Sequence, residues 1–181
     1  IARIDDLVAR LRGLAAPAAR LIPSLDLRSP IEETLVLLRG QLEQKRIRVR
    51  RLYERTLPQV AGDPAQLKQL FLNLFMNALE AMEPGGQLTI RLARGESMGA
   101  SSLVATVSDT GSGIPQEMLG KVFDPFVTTK PRGSGLGLAI CRGIADAHRA
   151  TIRVENNTNC RGTTATIEFA VTEELPAIIR T

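Results

Sequence analysis

Apolar side chains recur every three or four positions through the first 21 residues of the chain. They are Ile4, Leu7, Leu11, Leu14, Ala18 and Leu21. This spacing is typical of the a and d positions of a coiled coil or a helical bundle. Because so narrow a stripe cannot build a core alone, we expect it to need partner helices. The alternative is a single amphipathic helix that folds back on its own domain.

The rest of the chain alternates between helical and extended patterns. Helical periodicity predicts helices over 30–45, 63–82 and 136–148, the first two opened by the capping boxes Ser29-Pro30-Ile31-Glu32 and Asp63-Pro64-Ala65-Gln66. Alternating apolar residues predict strands over 47–54, 87–94, 102–108, 151–156 and 163–171, with a loop around Gly95 and Gly99. This order predicts an α+β fold, a two-layer sandwich in which helices cover one face of a mixed sheet.

Composition narrows the nature of the core and of the partners. Apolar residues make up 44% of the 181 residues but aromatic residues only 3%, so we expect an aliphatic core. A chain so poor in aromatic side chains is a weak candidate for stacking nucleic-acid bases, and we expect no nucleic-acid partner. The net charge of +4 suits a polyanion such as a nucleoside triphosphate but is weak support by itself.

Charge and cysteine placement add two smaller expectations. The basic cluster of Lys45, Arg46, Arg48, Arg50, Arg51 and Arg55 could bind an acidic partner, but the solvated face of an edge strand explains it more simply. Cys141 and Cys160 lack the spacing of a zinc site or a disulfide framework. We expect two reduced thiols in a cytoplasmic domain. No apolar run has the length of a membrane span, and a chain that begins at Ile1 is expected to be a fragment of a longer protein, which can carry an anchor elsewhere.

Two asparagines interrupt the apolar helix predicted over 63–82. Asn73 and Asn77 lie four residues apart on one face, and Glu80 extends the row. A buried amide without a partner costs about 1–3 kcal/mol. The pair is therefore expected to bond to neighbouring backbone or to each other, or to face a ligand, and the residues alone do not decide between these alternatives.

Two glycine-rich segments follow. Asp109 ends a predicted strand and begins D-T-G-S-G-I-P, where a carboxylate could accept a hydrogen bond from the amino group of adenine and the glycines would let a flat ligand approach. The alternative is an ordinary turn. The segment Gly133-Ser134-Gly135-Leu136-Gly137-Leu138 runs into a helix, whose first N–H groups favour an anion. Its spacing is neither that of a Walker P-loop nor that of a dinucleotide fingerprint.

Taken in order, five motifs resemble the ATPase family of DNA gyrase, the ninety-kilodalton heat-shock chaperone, histidine kinases and mismatch-repair ATPases. They are Asn73-x-x-x-Asn77, the D-x-G-x-G-I that starts at Asp109, Phe123-Asp124-Pro125-Phe126, the G-x-G-L-G-L that starts at Gly133, and Gly162-Thr163. The resemblance covers roughly residues 30–171 and is greatest to histidine kinases. The segment 124–130, with its short nucleotide lid, is similar to the nitrogen-sensor type.

The resemblance implies a role for each motif. Asn77 would bind Mg²⁺ with support from Asn73, Asp109 would recognise adenine with help from Thr163, and Lys130 would meet the phosphates from the lid. The implied catalytic residues are Asn73, Asn77 and Lys130. The implied nucleotide-binding residues are Asn77, Glu80, Ala81, Asp109, Gly111, Gly113, Ile114, Thr129, Lys130, Gly133, Ser134, Gly135, Leu136, Gly137, Leu138 and Thr163. The implied cofactors are ATP and Mg²⁺.

Asn73 separates a kinase from a hydrolase within this family. The hydrolytic relatives carry Glu at that position as a general base, and a neutral amide cannot take a proton from water. ATP should therefore be held as a phosphoryl donor, with transfer in line. Two departures stand out: Glu80 replaces a common Lys, and His148-Arg149-Ala150 replaces His-Gly-Gly. We expect His148, the only histidine, to cap a helix and not to accept phosphate.

The expected function is the ATP-binding catalytic domain of a two-component sensor histidine kinase. We expect residues 1–22 to be the remnant of a dimerisation helix, 23–29 a linker, 30–172 the catalytic domain and 173–181 a tail. The phosphoacceptor histidine would lie on the protein's own dimerisation domain, so this chain should not phosphorylate itself in cis. Further expected partners are ADP, a response-regulator receiver domain and, in the full-length protein, a second copy. The alternatives are an anti-sigma-type serine kinase and a nucleotide-binding regulatory module, a pseudokinase, that transfers no phosphate.

Overall fold

The computed structural model describes residues 20–97, 100–130, 133–158 and 160–171. The apolar stripe predicted to be a dimerisation helix lies outside these residues except for its end, and the predicted tail at 173–181 lies outside them entirely. The helices are α1 (Arg28–Gln44), α2 (Pro64–Ala81), α3 (Gln116–Leu119) and α4 (Gly137–Ala147). The strands are β1 (Ile22–Leu25), β2 (Arg48–Tyr53), β3 (Val60–Gly62), β4 (Gln87–Ser97), β5 (Ala100–Asp109), β6 (Thr151–Asn156) and β7 (Thr163–Ala170).

Five of these strands form one mixed sheet in the order β2-β4-β5-β7-β6. β2 and β4 pair in parallel, and the other neighbours are antiparallel. Alternate residues of the central strands are buried, as in Leu88, Ile90 and Leu92 of β4, because the helices cover that face. The predicted two-layer α+β sandwich is confirmed. β1 and β3 form a separate two-stranded ribbon.

Helix α2 lies at the centre of the helical layer, packed between α1 and α4. Its apolar side chains surround it, and the rings of Phe71 and Phe75 lie 5.9 Å apart, fully buried. Most of the remaining core consists of Leu, Ile, Val and Ala, as the composition predicts. The helix that carries Asn73 and Asn77 is therefore held rigidly on both sides.

The start of α1 differs from the prediction. The helix begins at Arg28, and Ser29 bonds to the Glu33 carboxylate instead of capping the helix. The cap-like contact comes from Asp26, whose Oδ1 accepts the N–H of Arg28 at 3.0 Å. Leu27, directly before the helix, is only 1% exposed. Its burial favours a helix that begins at Arg28, ahead of the predicted start. The second predicted cap is confirmed, because Asp63 accepts the N–H groups of Ala65 and Gln66.

The stretch 23–29 does not run as the expected linker. It carries most of β1 and the first residues of α1, and Leu25 is buried in the main core. The loop predicted around Gly95 is also wrong at that residue, since Gly95 lies inside β4 opposite Ser102. A side chain at Gly95 would lie 2.7 Å from the Ser102 hydroxyl, so this glycine permits close strand pairing and does not mark a turn.

β2 lies at the edge of the sheet, where a solvated basic strand is expected. Arg48, Arg50 and Arg51 are exposed on it, and Arg51 forms an ion pair with Glu32 of α1 at 2.9 Å. None of the helices in the described part of the chain combines the length and the apolarity that crossing a bilayer requires.

Candidate nucleotide-binding site

Two of the glycine-rich segments meet the C-terminal half of α2. A side chain at Gly111 would lie 2.7 Å from the carbonyl oxygen of Ala81, and the N–H of Ser112 donates to that oxygen at 3.1 Å. On the other side, a side chain at Gly137 would lie 3.6 Å from the amide nitrogen of Asn77. Glycine at position 111 therefore lets the loop after β5 close on the end of α2, and Gly137 at the start of α4 lies at ordinary contact distance from Asn77.

Asp109 is fixed at the end of β5 with one oxygen already engaged. The carboxylate is 7% exposed, and its Oδ1 accepts the N–H groups of Gly111 at 2.8 Å and Thr163 at 3.2 Å. Within the described residues no hydrogen bond reaches Oδ2. Burial raises the pKa of Asp109, although these two N–H groups and the charge of Lys130 act in the opposite direction. The site thus presents one oxygen of a largely buried residue that has no hydrogen-bond donor among the described residues.

Two asparagines that sequence reasoning missed hold the loop around Asp109. The amide of Asn156 donates to the carbonyl of Ile114 at 2.7 Å and accepts its N–H at 2.8 Å. Asn157 donates to the carbonyl of Asp109 at 2.9 Å. The available signal was an Asn-Asn pair directly after a strand, which is ordinary turn composition and does not reveal its distant partners.

The glycines at the two ends of the site are required by close backbone approach. Gly162 has φ +116°, and a side chain there would collide with the carbonyl oxygen of Asp109. Gly135 has φ +68°, and a side chain there would collide with the backbone of Phe126, whose N–H donates to the Gly135 carbonyl at 3.1 Å. The first contact closes the base of the Asp109 loop, and the second closes the base of the segment that carries Lys130.

Asn77, Glu80 and Lys130 form a cluster on the exposed side of α2. The Lys130 ammonium lies 2.5 Å from Oε2 of Glu80 and 3.3 Å from Oδ1 of Asn77. The two asparagines of α2 form no hydrogen bond with each other among the described residues. Asn77 instead faces a cation.

Asn73 faces the neighbouring helix. Its Nδ2 is buried, has no hydrogen-bond partner in the described structure and lies against the thiol of Cys141 on α4. Burial raises the pKa of the Cys141 thiol to about 12, although the neighbouring Asn73 amide acts to lower it. The thiol is therefore protonated, as expected for a reduced structural cysteine.

The remaining predicted residues fall into different surroundings. α4 begins without a side-chain cap, so the N–H groups of its first turn have no side-chain acceptor at the cap position. Leu136 is fully buried and Leu138 packs against the core, so neither side chain faces the site and only their backbone can contribute. Thr129 is exposed. Gly133 and Ser134 complete the loop that leads to Gly135, with the Gly133 N–H donating to the Lys130 carbonyl at 3.1 Å.

Other basic side chains are engaged elsewhere. The guanidinium of Arg142 lies 5.4 Å from the centre of the Phe123 ring and 3.5 Å from the Asp146 carboxylate. Arg132, a second candidate for phosphate contact, lies outside the described residues. His148 ends α4, as predicted for a capping histidine.

Comparison with known proteins places this architecture. The model of the histidine kinase-, DNA gyrase B- and HSP90-like ATPases matches residues 62–173, more than half of the chain. Among curated relatives, the chain is 35% identical to the sensor histidine kinase TmoS of Ectopseudomonas mendocina over 85% of its length, and 36% identical to sporulation kinase A of Bacillus subtilis (strain 168) over 93%. It spans only 16% and 27% of the lengths of those two proteins.

Solved structures agree with this assignment. The chain matches the catalytic domain of histidine kinase ThkA with a TM-score of 0.73 and 31% identity, over 83% of this chain and 95% of that one. It also matches full-length ShkA in complex with AMPPNP, with a TM-score of 0.75 and 25% identity, over 93% and 37% of the two chains. ThkA in complex with the response regulator protein TrrA matches with a TM-score of 0.75 and 28% identity, over 94% and 48%.

The fold is that of an ATPase domain with a mixed sheet and a helical layer on one face. The chain belongs to the family of histidine kinase-, DNA gyrase B- and HSP90-like ATPases. The relatives that it matches within this family are sensor histidine kinases and sporulation kinases.

Proposed function

We propose that this chain is the ATP-binding catalytic domain of a sensor histidine kinase of the nitrogen-sensor type. It would donate the γ-phosphate of ATP to a histidine on a dimerisation domain. The observation that carries this proposal is the meeting of Asp109, Asn77, Lys130 and the start of α4 around one half of α2. These groups supply a hydrogen-bond acceptor for a base, a ligand for a cation and donors for an anion.

Asp109 would recognise adenine through Oδ2. The exocyclic amino group of adenine is a donor, whereas guanine presents a carbonyl oxygen at the equivalent position and would meet the carboxylate with repulsion. Gly111, Gly113 and Ile114 would line the base, and Thr163 would hold the carboxylate through its N–H. The buried setting makes this hydrogen bond stronger than it would be in water.

The phosphates would lie against the first turn of α4, with Lys130 opposite. Uncapped N–H groups and the helix dipole both favour an anion there. The close approach at Gly137 keeps this turn beside Asn77. The first turn of α4 and the side chain of Lys130 would thus both contact the phosphates.

Asn77 and Glu80 fit Mg²⁺ by their donor chemistry. Both offer oxygen, the ligand type that this ion prefers, and Mg²⁺ commonly takes only one or two protein ligands beside substrate phosphates and water. Both oxygens already face the positive charge of Lys130. When bound, the metal would neutralise charge on the phosphates during transfer.

Asn73 supports transfer over hydrolysis. It stands on α2 where a water-activating carboxylate would be needed, and its amide faces Cys141 in an apolar interior. A chain without that base should hold ATP until an acceptor histidine arrives. A dimerisation domain with this histidine and a receiver domain would be the protein partners. A complex of this second kind has been solved for ThkA, with the response regulator protein TrrA.

The test is calorimetric titration followed by transfer. The chain is titrated with ATP, ADP and GTP, with and without Mg²⁺, and is then incubated with γ-labelled ATP and a separately purified dimerisation domain that carries the acceptor histidine. Adenine-selective binding together with label on the acceptor supports the proposal. Binding without transfer to any supplied acceptor would favour the regulatory module, and no binding would overturn the nucleotide site.

A further inference from the structure

Lys130 lies where a bound cation would compete with it. Its ammonium contacts Glu80 Oε2 at 2.5 Å and Asn77 Oδ1 at 3.3 Å, and the two acceptors are three residues apart on α2. Residues at this spacing lie on one helix face, so a single cation can contact both. The Lys130 ammonium thus already contacts the two side-chain oxygen atoms that are proposed above to bind the metal.

We propose that Glu80 is a specificity-determining residue that makes nucleotide binding depend on Mg²⁺, an inference that rests on the proposed function. Without a metal-nucleotide complex, Glu80 holds Lys130 against Asn77. Lys130 must leave this position before its charge can serve a phosphate. Glu80 therefore acts by positioning Lys130, and the strength of their ion pair sets which form of the nucleotide is accepted.

Charge balance explains the discrimination. Free ATP would bring its negatively charged phosphates close to the negative carboxylate of Glu80. The single ammonium group of Lys130 would then have to neutralise both the carboxylate and the phosphates. The metal complex brings its own cation, which satisfies Asn77 and Glu80 and releases Lys130. In the described part of the chain, Lys130 is the one Lys or Arg that bonds to Asn77, and Arg142 is held by Phe123 and Asp146. No other described Lys or Arg bonds to Asn77 or Glu80.

The pair is also exposed enough to exchange. The side chains of Lys130 and Glu80 are 34% and 49% exposed, so opening the pair does not leave a buried charge without a partner. A partly solvated pair of this kind can be displaced by a divalent ion and its phosphates. It is a competing contact and not a structural one.

The experiment measures the ratio of ATP affinities with Mg²⁺ and with excess EDTA, by calorimetry on the whole chain. In Glu80→Gln, binding in EDTA should tighten about fivefold, the scale of a partly exposed ion pair. The ratio should shrink by at least that factor, because the metal also loses a charged ligand. The amide keeps the shape of the side chain and an oxygen acceptor but loses the charge. The thermal midpoint should stay at the wild-type value, because Glu80 is solvated.

Two comparisons isolate the cause. Glu33→Gln removes another carboxylate that pairs with a lysine, Lys68 at 2.9 Å on the outer surface, and should leave the ratio unchanged. In a Lys130→Gln background, Glu80→Gln should have a smaller effect than in the wild type, because its partner is gone. If Glu80→Gln binds ATP in EDTA with the wild-type affinity, the inference is wrong and the proposed function stands. If the wild-type chain binds no adenine nucleotide, both are wrong.

Discussion

The backbone N–H of Asp63 donates a hydrogen bond of 2.9 Å to Nε2 of His148. The N-cap of α2 and the C-cap of α4 are therefore joined at one point. Nδ1 of the same ring lies 2.8 Å from the carbonyl oxygen of Ile144. Both contacts are satisfied by one neutral tautomer, with the proton on Nδ1. The only histidine of the chain is thus a buried link between α2, which carries Asn77, and α4, which begins at Gly137.

His148→Ala should destabilise the fold by about 2–3 kcal/mol, because it leaves the backbone N–H of Asp63 without its acceptor, removes the ring contact with the Ile144 carbonyl and opens a cavity. Urea unfolding measures the change. Arg153→Ala, on the exposed face of β6, is the matched control and should change stability by less than about 0.5 kcal/mol. Nucleotide affinity of the folded His148→Ala protein should be close to wild type, and a selective loss of binding at full stability would argue for a direct role in the site.

Asp63→Ala should remove an N-cap at a loss of about 1 kcal/mol near neutral pH. Burial acts to raise the pKa of Asp63, but the N–H groups of Gln66, Arg20 and Ala65 outweigh it and lower the pKa. A lowered pKa means that the stabilisation is present above the ordinary carboxyl pKa and disappears as the pH falls through the lower folded value. The stability difference between wild type and variant should therefore shrink on acidification. Urea unfolding at a series of pH values measures it, and a difference that stays constant would contradict the assignment.

The outcome of sequence reasoning depended on how far apart the interacting residues lie in the chain. Helix α2 was predictable because its apolar periodicity and its Asp63-Pro64 start are local signals. β1 and β3, of four and three residues, are too short to show a periodicity. The start of α1 was misplaced because Asp26 and Ser29 are both good caps, and the burial of Leu27 selects between them.

The site shows the same division. Glycine spacing and the Asn73–Asn77 pair pointed to the elements that meet at α2, since each is a local motif. Asn156 and Asn157 could not be found, because their partners Ile114 and Asp109 lie 42 and 48 residues away. The contact of Lys130 with Glu80 spans 50 residues. Such contacts depend on which residues the fold brings together, and the residue types alone do not reveal them.

Asn77→Ala should abolish the tightening of ATP binding by Mg²⁺, because it removes the neutral oxygen ligand on α2. Binding in EDTA should change little by comparison. Calorimetry measures the ATP affinity of wild type and variant with Mg²⁺ and with EDTA. Gln69→Ala, an amide-to-alanine change earlier on the same helix, is the control and should keep the Mg²⁺ effect. A normal Mg²⁺ effect in Asn77→Ala would show that the metal is held elsewhere.

Asp109→Asn should weaken ATP binding by about 2 kcal/mol, roughly 30-fold, because an amide group would replace a charged acceptor opposite the adenine amino group. Since burial raises the pKa of Asp109, wild-type binding should begin to weaken at a higher pH than an ordinary aspartate would give, as the pH falls through that raised value and the acceptor is protonated. The variant should lack this part of the pH dependence. Titration with ATP at several pH values tests both points. Asp146→Asn, on the exposed side of α4, should behave as the wild type, and unchanged affinity in Asp109→Asn would refute the adenine role.

Asn156→Ala should weaken adenine nucleotide binding although the side chain makes its contacts only with the protein backbone. Its amide fixes both the N–H and the carbonyl of Ile114, so alanine would free the loop that is proposed to line the base. The loss should be about 1–2 kcal/mol, the scale of two backbone hydrogen bonds. It should be equal with and without Mg²⁺, because the phosphate end of the site is untouched. Calorimetry with adenosine, which has no phosphate, isolates the base pocket, and Asn156→Asp, which keeps the acceptor for the Ile114 N–H but loses the donor, should show an intermediate effect. If adenosine binds equally to all three proteins, the loop is held by other contacts, and Asn156 has no part in recognising the base.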